Sequence, residues 1–297
     1  MIERPATVED LRDITALWQR FEVATRGFTE TDQASVSSDW QAVGFDLGRD
    51  TVLLADGGQV VGYALTDGSG DADSVADPAR AAEGLEERLL AWLEHEGDAR
   101  RTPLHHYWDA GDTAAQARFR ERGWQAGRTY WRMRVDLDAP TPEPQWPVGV
   151  TVRGLDPERD GRTAHEIVRT AFADIGDGSG QRTWEEWEAL MLSPDRFDAG
   201  LALVAQEAGE VVAVSMGELL PESAFVRQLA VPRAHRGRGL ALAMLHETFR
   251  RAAQRGLPVV VLGVDAANAT GAVRLYERAG MRIVEEFTRW DRPLPCP

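Results

Sequence analysis

Two short stretches of this chain carry residue types suited to holding a phosphate. The first is Arg233-Ala-His-Arg-Gly-Arg-Gly-Leu-Ala241. It follows the apolar run Ala224-Phe-Val-Arg-Gln-Leu-Ala-Val231, closed by Pro232, and precedes Leu242, Leu245, Phe249 and Ala252 at helical spacing. A strand, a glycine-containing loop and a helix N-terminus make an anion site, because loop N–H groups and the positive end of the helix dipole converge. Gly237 and Gly239 allow close approach of the backbone to a phosphate, and Arg236 and Arg238 add positive charge. Taken alone, the loop is equally the composition of a tight left-handed turn with two solvated arginines. The second stretch, Asp265-Ala-Ala-Asn-Ala-Thr-Gly271, joins the apolar run 258–264 to a helix, Ala272-Val-Arg-Leu-Tyr-Glu-Arg-Ala279, that ends at Gly280. Asn268 is the only asparagine in the chain, which singles it out for a specific polar contact. A turn or capping role is the alternative.

The two motifs, in this order and at this spacing, resemble those of the GNAT-type N-acetyltransferases. Arg236-Gly-Arg-Gly-Leu-Ala241 matches that family's pyrophosphate signature, Gln/Arg-x-x-Gly-x-Gly/Ala. Asn268 with Gly271-Ala-Val-Arg-Leu-Tyr276-Glu-Arg-Ala-Gly-Met281 resembles its second signature. The likeness is detailed from Ala224 to Met281 and architectural over the first half. As a whole the chain resembles the tandem-domain members, of which mycothiol synthase is the best-known type.

The resemblance implies acetyl-CoA as co-substrate, no metal, and an acyltransferase that acetylates the primary amine of a small metabolite or antibiotic-like acceptor. A mycothiol synthase-like enzyme, a protein N-acetyltransferase and a non-catalytic acyl-CoA-binding sensor are the alternatives. It places the pyrophosphate on the N–H groups of Arg236, Gly237, Arg238, Gly239, Leu240 and Ala241, with Asn268 also on the cofactor side. Pantetheine would lie along Leu229, Ala230 and Val231, with a backbone donor to the thioester oxygen near Leu229 or Ala230. Tyr276 is the expected acid for the departing thiolate, with a core tyrosine at a helix–sheet interface as its other reading. Many members carry a glutamate base six residues before the valine that ends the strand, and here that position is Phe225. Glu222 is the expected base, with Glu218, His235, His246 and a water relay as alternatives.

These residues need a scaffold, and the chain supplies one twice. Ala139-Pro-Thr-Pro-Glu-Pro-Gln-Trp-Pro147, four prolines in nine residues, reads as an extended linker. It predicts domains at 1–138 and 148–297. Each half opens with a short strand, an acidic turn and an amphipathic helix, then continues with a hairpin: Thr51–Ala55 to Gln59–Tyr63 in one, Leu201–Ala205 to Glu210–Val214 in the other. Each closes with a helix, a Gly and a final strand. The predicted fold is α/β (α+β): two tandem GNAT-like domains, each a mixed central sheet flanked by helices. Laid on the same frame, the first half has Pro78–Glu86 in place of the loop, with only Gly84 retained and Glu83 and Glu86 opposing a phosphate. It has Phe119 where the second has Tyr276, and it is read as a degenerate, non-catalytic copy that walls the acceptor cleft.

Composition bounds the rest. The 297 residues are 43% hydrophobic and 27% charged, a globular balance. No apolar run reaches membrane length and the start is no signal peptide, so a cytoplasmic protein is expected. The single cysteine, Cys296, permits no intrachain disulfide and no Cys-rich zinc site. His105 and His106 are adjacent in a strand, so they face opposite ways and do not form a metal site. Phe172, Trp184 and Trp187 read either as core or as an acceptor pocket. The net charge of −15, with every basic residue an arginine, disfavours nucleic acid and anionic membrane as partners. Residues 1–147 carry 15 Arg against 27 acids and residues 148–297 carry 18 against 21. The acidic half is therefore expected to attract a cationic amine. Oligomeric state and acceptor identity have no sequence signature.

Overall fold

The computed structural model describes residues 1–41, 44–173, 182–194, 197–268 and 271–294. Cys296 lies outside them. The chain forms two compact units, Met1–Thr129 with Glu286 onward, and Tyr130–Glu285.

The first unit contains β1 (Ile2–Arg4), α1 (Leu11–Arg26), α2 (Gln33–Trp40), α3 (Leu47–Asp50), β2 (Thr51–Asp56), β3 (Gln59–Thr66) and β4 (Asp71–Ala76). It continues through α4 (Leu85–Arg100), β5 (Leu104–Asp109), α5 (Thr113–Glu121) and the start of β6 (Gln125–Asp136). The second contains the rest of β6, then β7 (Val150–Gly154), α6 (Pro157–Phe172), α7 (Trp184–Met191), β8 (Leu203–Glu207) and β9 (Glu210–Leu220). It ends with β10 (Ser223–Ala230), α8 (Leu240–Gln254), β11 (Val259–Asp265), α9 (Ala272–Arg278) and the start of β12 (Arg282–Arg292).

Each unit is a mixed sheet flanked by helices. The order is β1-β2-β3-β4-β5-β12 in the first and β6-β11-β10-β9-β8-β7 in the second. Within each, the parallel pairs are β4–β5 and β10–β11, and the other registered pairs are antiparallel. The proline-rich segment 140–147 carries no helix or strand. The division in space falls elsewhere, inside β6 and β12, because residues 130–136 pair with β11 and residues 287–292 pair with β5.

Local sequence explains the elements that frame the second unit's cleft. Asp156 caps α6 by accepting the N–H groups of Glu158 and Arg159, and Pro157 takes the first turn, where no donor is needed. Thr183 and Glu186 form a reciprocal capping box on α7. On α8, Leu240, Met244, Leu245, Phe249 and Ala252 are buried. Each large apolar side chain among them contributes roughly 1.5–3 kcal/mol by leaving water. The unbroken apolar run of β11 is buried throughout Val259–Leu262. In the first unit His105 Nδ1 lies 2.6 Å from Asp291 Oδ1, whereas His106 is fully buried with Nε2 2.9 Å from Ser74 Oγ.

Candidate active site

The cleft originates in a fork between two parallel strands. β10 and β11 pair only from Ala224 to Val226, opposite Val260 to Leu262. A bulge at Arg227 follows, where Val226 faces Gly217 and Gln228 faces Met216 on β9, and a bulge bends and twists its strand. Beyond it β10 keeps β9 on one side and turns its other edge to the open fork. The resulting cavity is about 680 Å³. Leu229, Val231, Arg236, Gly237, Gly239, Leu240, Ala241, Asn268 and Tyr276 all line it. Ala230 does not, because its side chain packs with Val168 and Ala171 on α6.

The loop and helix at one end form an anion cradle. Gly237 and Gly239 have φ of 76° and 85°, left-handed values that glycine alone adopts without cost. A Cβ at either position would meet nothing within 4 Å, so backbone angle rather than crowding calls for glycine there. Within α8 the N–H of Ala243 reaches Gly239 O, which leaves the N–H groups of Leu240, Ala241 and Leu242 without intrahelical acceptors. Arg236 is anchored by Nε on Val231 O at 3.0 Å. The Arg238 side chain departs from the expected placement. Its guanidinium is bidentate on Glu207, at 2.6 and 2.8 Å, and lies 3.1 Å from His235 Nδ1. Arg238 does not line the cleft, because the carboxylate at the end of β8 holds its side chain.

Tyr276, on α9, stands in the cleft wall, half-buried, and burial pushes its hydroxyl pKa up to about 12. Asn268 follows a turn in which Asp265 Oδ1 accepts the N–H of Ala267 and Asp265 O that of Asn268, so its position at the mouth is set by the backbone. Glu222 lies in the exposed two-residue turn between β9 and β10, outside the residues that line the cleft. Glu218 is buried beside the cleft and ion-paired with Arg227 Nε at 2.5 Å. His235 lines the loop end. His246 is buried on α8 next to Phe249, its Nε2 has no hydrogen-bond partner, and burial lowers its pKa.

At the other end the cleft is lined by residues that no motif announces: Tyr130 on β6, Arg182 before α7, Leu190 and Met191 on α7, and Arg227 on the bulge. Only packing brings them together. Phe172 and Phe225 line the same end. Trp187 is core instead, and its Nε1 donates to Gln228 Oε1 at 2.9 Å, fixing a polar group on the cleft wall.

Residues 163–281 match the acetyltransferase (GNAT) family. The chain is 33% identical over 250 residues to a mycothiol acetyltransferase from Thermobispora bispora, covering 80% of each. It belongs to the GNAT acetyltransferase family. A GCN5-related N-acetyltransferase from Sphaerobacter thermophilus has the same fold at a TM-score of 0.78 and 30% identity, covering all of this chain and 97% of that one. A tandem GNAT protein from the clavulanic acid biosynthesis pathway superposes at a TM-score of 0.76 and 16% identity, covering 100% of this chain and 99% of that one, which shows the tandem fold. This is an acyltransferase fold, and acetyl-CoA is the co-substrate of the family.

Read as two GNAT units, the chain treats the two loops differently. In the first, Pro78–Glu83 forms a short 3-10 turn and Gly84 caps α4 in a left-handed conformation. Glu83 is paired with Arg80, and Glu86 with Arg118. Phe119 is buried and stacked on Trp290, with ring centroids 5.1 Å apart and planes within 10°. No described residue of this family's cleft in the second unit lies outside Tyr130–Arg278.

Proposed function

We propose that the chain transfers the acetyl group of acetyl-CoA to the amine of a small molecule, and that the unit Tyr130–Glu285 does the chemistry. The observation that carries this reading is a convergence: the glycine cradle, the unpaired edge of β10 and Tyr276 all open onto one cleft. Acetyl-CoA supplies an activated acetyl thioester. The N–H groups from Gly237 to Leu242 would hold its pyrophosphate, with Arg236 adding charge. A backbone N–H near Leu229 or Ala230 would donate to the thioester oxygen as it gains negative charge, an interaction worth roughly 3–4 kcal/mol in the transition state. Tyr276 would donate its O–H to the departing sulfur. Phe172, Leu190 and Met191 give the acceptor end an apolar wall. The attacking amine must be neutral, and among the described residues the one acid lining the cleft is Asp265, whose Oδ1 is engaged in its own turn. Its proton therefore passes to water, with Glu222 standing in the solvent-exposed turn.

The first unit lacks both a phosphate-compatible loop and a proton donor at Phe119, which supports a structural role for it. The relatives named mycothiol acetyltransferase make that enzyme's acceptor the first small molecule to test. Release of free thiol from acetyl-CoA, measured across a panel of amines, decides the reading. Turnover with at least one amine is expected. Binding of acetyl-CoA with no thiol release for any amine would overturn it in favour of a sensor.

A further inference from the structure

Charge is distributed unevenly along the cleft. Among the described residues its lining sets the one carboxylate of Asp265 against four arginines, Arg182, Arg227, Arg236 and Arg278. Arg182 enters no ion pair or side-chain hydrogen bond among the described residues; its carbonyl alone is used, 3.0 Å from His165 Nε2. The hydrogen bond from Arg227 to Glu218 uses Nε and leaves the Nη1–Nη2 fork. Where many relatives are expected to place a carboxylate, Phe225 presents a ring with two guanidiniums against it, Arg132 at 5.4 Å and Arg227 at 5.9 Å from the centroid. An acceptor with additional positive charge meets like charge here. An anion meets a free guanidinium and a half-used one, groups shaped for two-point contact with carboxylate or phosphate oxygens.

Position along the strand adds a length. Arg227 stands two to three residues before Leu229 and Ala230, about 7–10 Å at strand rise. That span fits a small molecule whose amine is a few bonds from its charged group.

We propose that the acceptor amine carries an anionic group, held by Arg182 and Arg227 while the amine lies towards Gln228 and Leu229. The inference rests on the amine-acetylating reading above and deepens it from any small amine to one class.

The test compares matched pairs with the purified full chain and acetyl-CoA: an amino acid against its amide, and phosphoethanolamine against ethanolamine. The charged member of at least one pair is expected to have a kcat/KM at least tenfold higher, and the pair that responds identifies carboxylate or phosphate. Arg182→Gln should collapse that ratio towards one, mainly by raising the KM of the charged member, and Arg182→Lys should restore part of it. Among the described residues the Arg182 side chain has no partner to lose, so its variants are expected to retain the fold, whereas Arg227→Gln also strands Glu218 and serves only as a second line. Acetylation of both members at equal rates, or a ratio untouched by Arg182→Gln, overturns this inference and leaves the proposed function standing. No thiol release with any amine overturns both.

Discussion

A phenol held at a pKa of about 12 stays protonated through the range in which acetyl transfer is run. On the proposed reading Tyr276 is a standing proton donor, and its own titration puts no falling limb on a pH–rate profile below about pH 10. Tyr276→Phe keeps the ring packed on the apolar cluster of the second unit and removes the hydroxyl. We expect kcat to fall on the order of a hundredfold, with KM for acetyl-CoA changed less than threefold and the profile from pH 7 to 10 unchanged in shape. A wild-type limb in that range that vanished in the variant would contradict the assignment. Tyr276 was legible because its neighbours form a family signature at fixed spacing. Arg182 and Tyr130 were not, since each sits beside an ordinary cap or within an ordinary strand and becomes part of a site only through packing. Glu222 shows the opposite limit. Counting back from the end of the strand reaches Phe225, and the nearest carboxylate before it, Glu222, is placed by the hairpin register in an exposed turn.

Elements decide where the cofactor's charge can go. The boundaries of α8, β11 and α9 followed from apolar period and glycine punctuation, and the structure keeps them within a residue or two. The fork between β10 and β11 did not follow, because a bulge at Arg227 leaves no composition signal; it depends on a register shift against β9. The side chain of Arg238 was equally hidden, since its partner Glu207 comes from a hairpin distant in sequence. What the helix start does require is visible in one angle. Gly239, at φ 85°, precedes α8, and an alanine there costs about 1–2 kcal/mol in the left-handed conformation. The loop would relieve that strain by turning its N–H groups out of the cradle. Gly239→Ala is expected to weaken acetyl-CoA binding at least fivefold by titration calorimetry, with the melting temperature lowered by only a few degrees. An unchanged dissociation constant would show that those N–H groups do not hold the cofactor.

At the scale of the whole molecule the two units have spent the same frame in different ways, and this makes the first unit the acid-sensitive one. Its core packs Trp108, Phe119 and Trp124 around the ring of His106. Burial there lowers the His106 pKa to about 4, against about 6.5 for an unfolded histidine. Above pH 6.5 both states are neutral and the full stability is present. As pH falls below 6.5 the unfolded chain takes up a proton that the folded one refuses, and stability is lost progressively until about pH 4, by about 3 kcal/mol in all. His246 in the second unit is shifted in the same direction. An opposing effect exists, because protonating some carboxylates of a chain with net charge −15 relieves self-repulsion. That repulsion is spread over a salt-screened surface, and Asp73, whose raised pKa also opposes the loss in this range, is exposed to solvent, whereas the histidine proton must enter a sealed aromatic core, so the histidine should dominate. Three of the ten tryptophans, Trp108, Trp124 and Trp290, lie in this core, and the urea midpoint read by tryptophan fluorescence is expected to drop between pH 7.5 and 5. His106→Gln, which keeps a side chain able to reach Ser74, should start less stable and lose most of the pH dependence. A midpoint that rises towards pH 5, or that falls equally in the variant, would place the acid sensitivity outside this histidine.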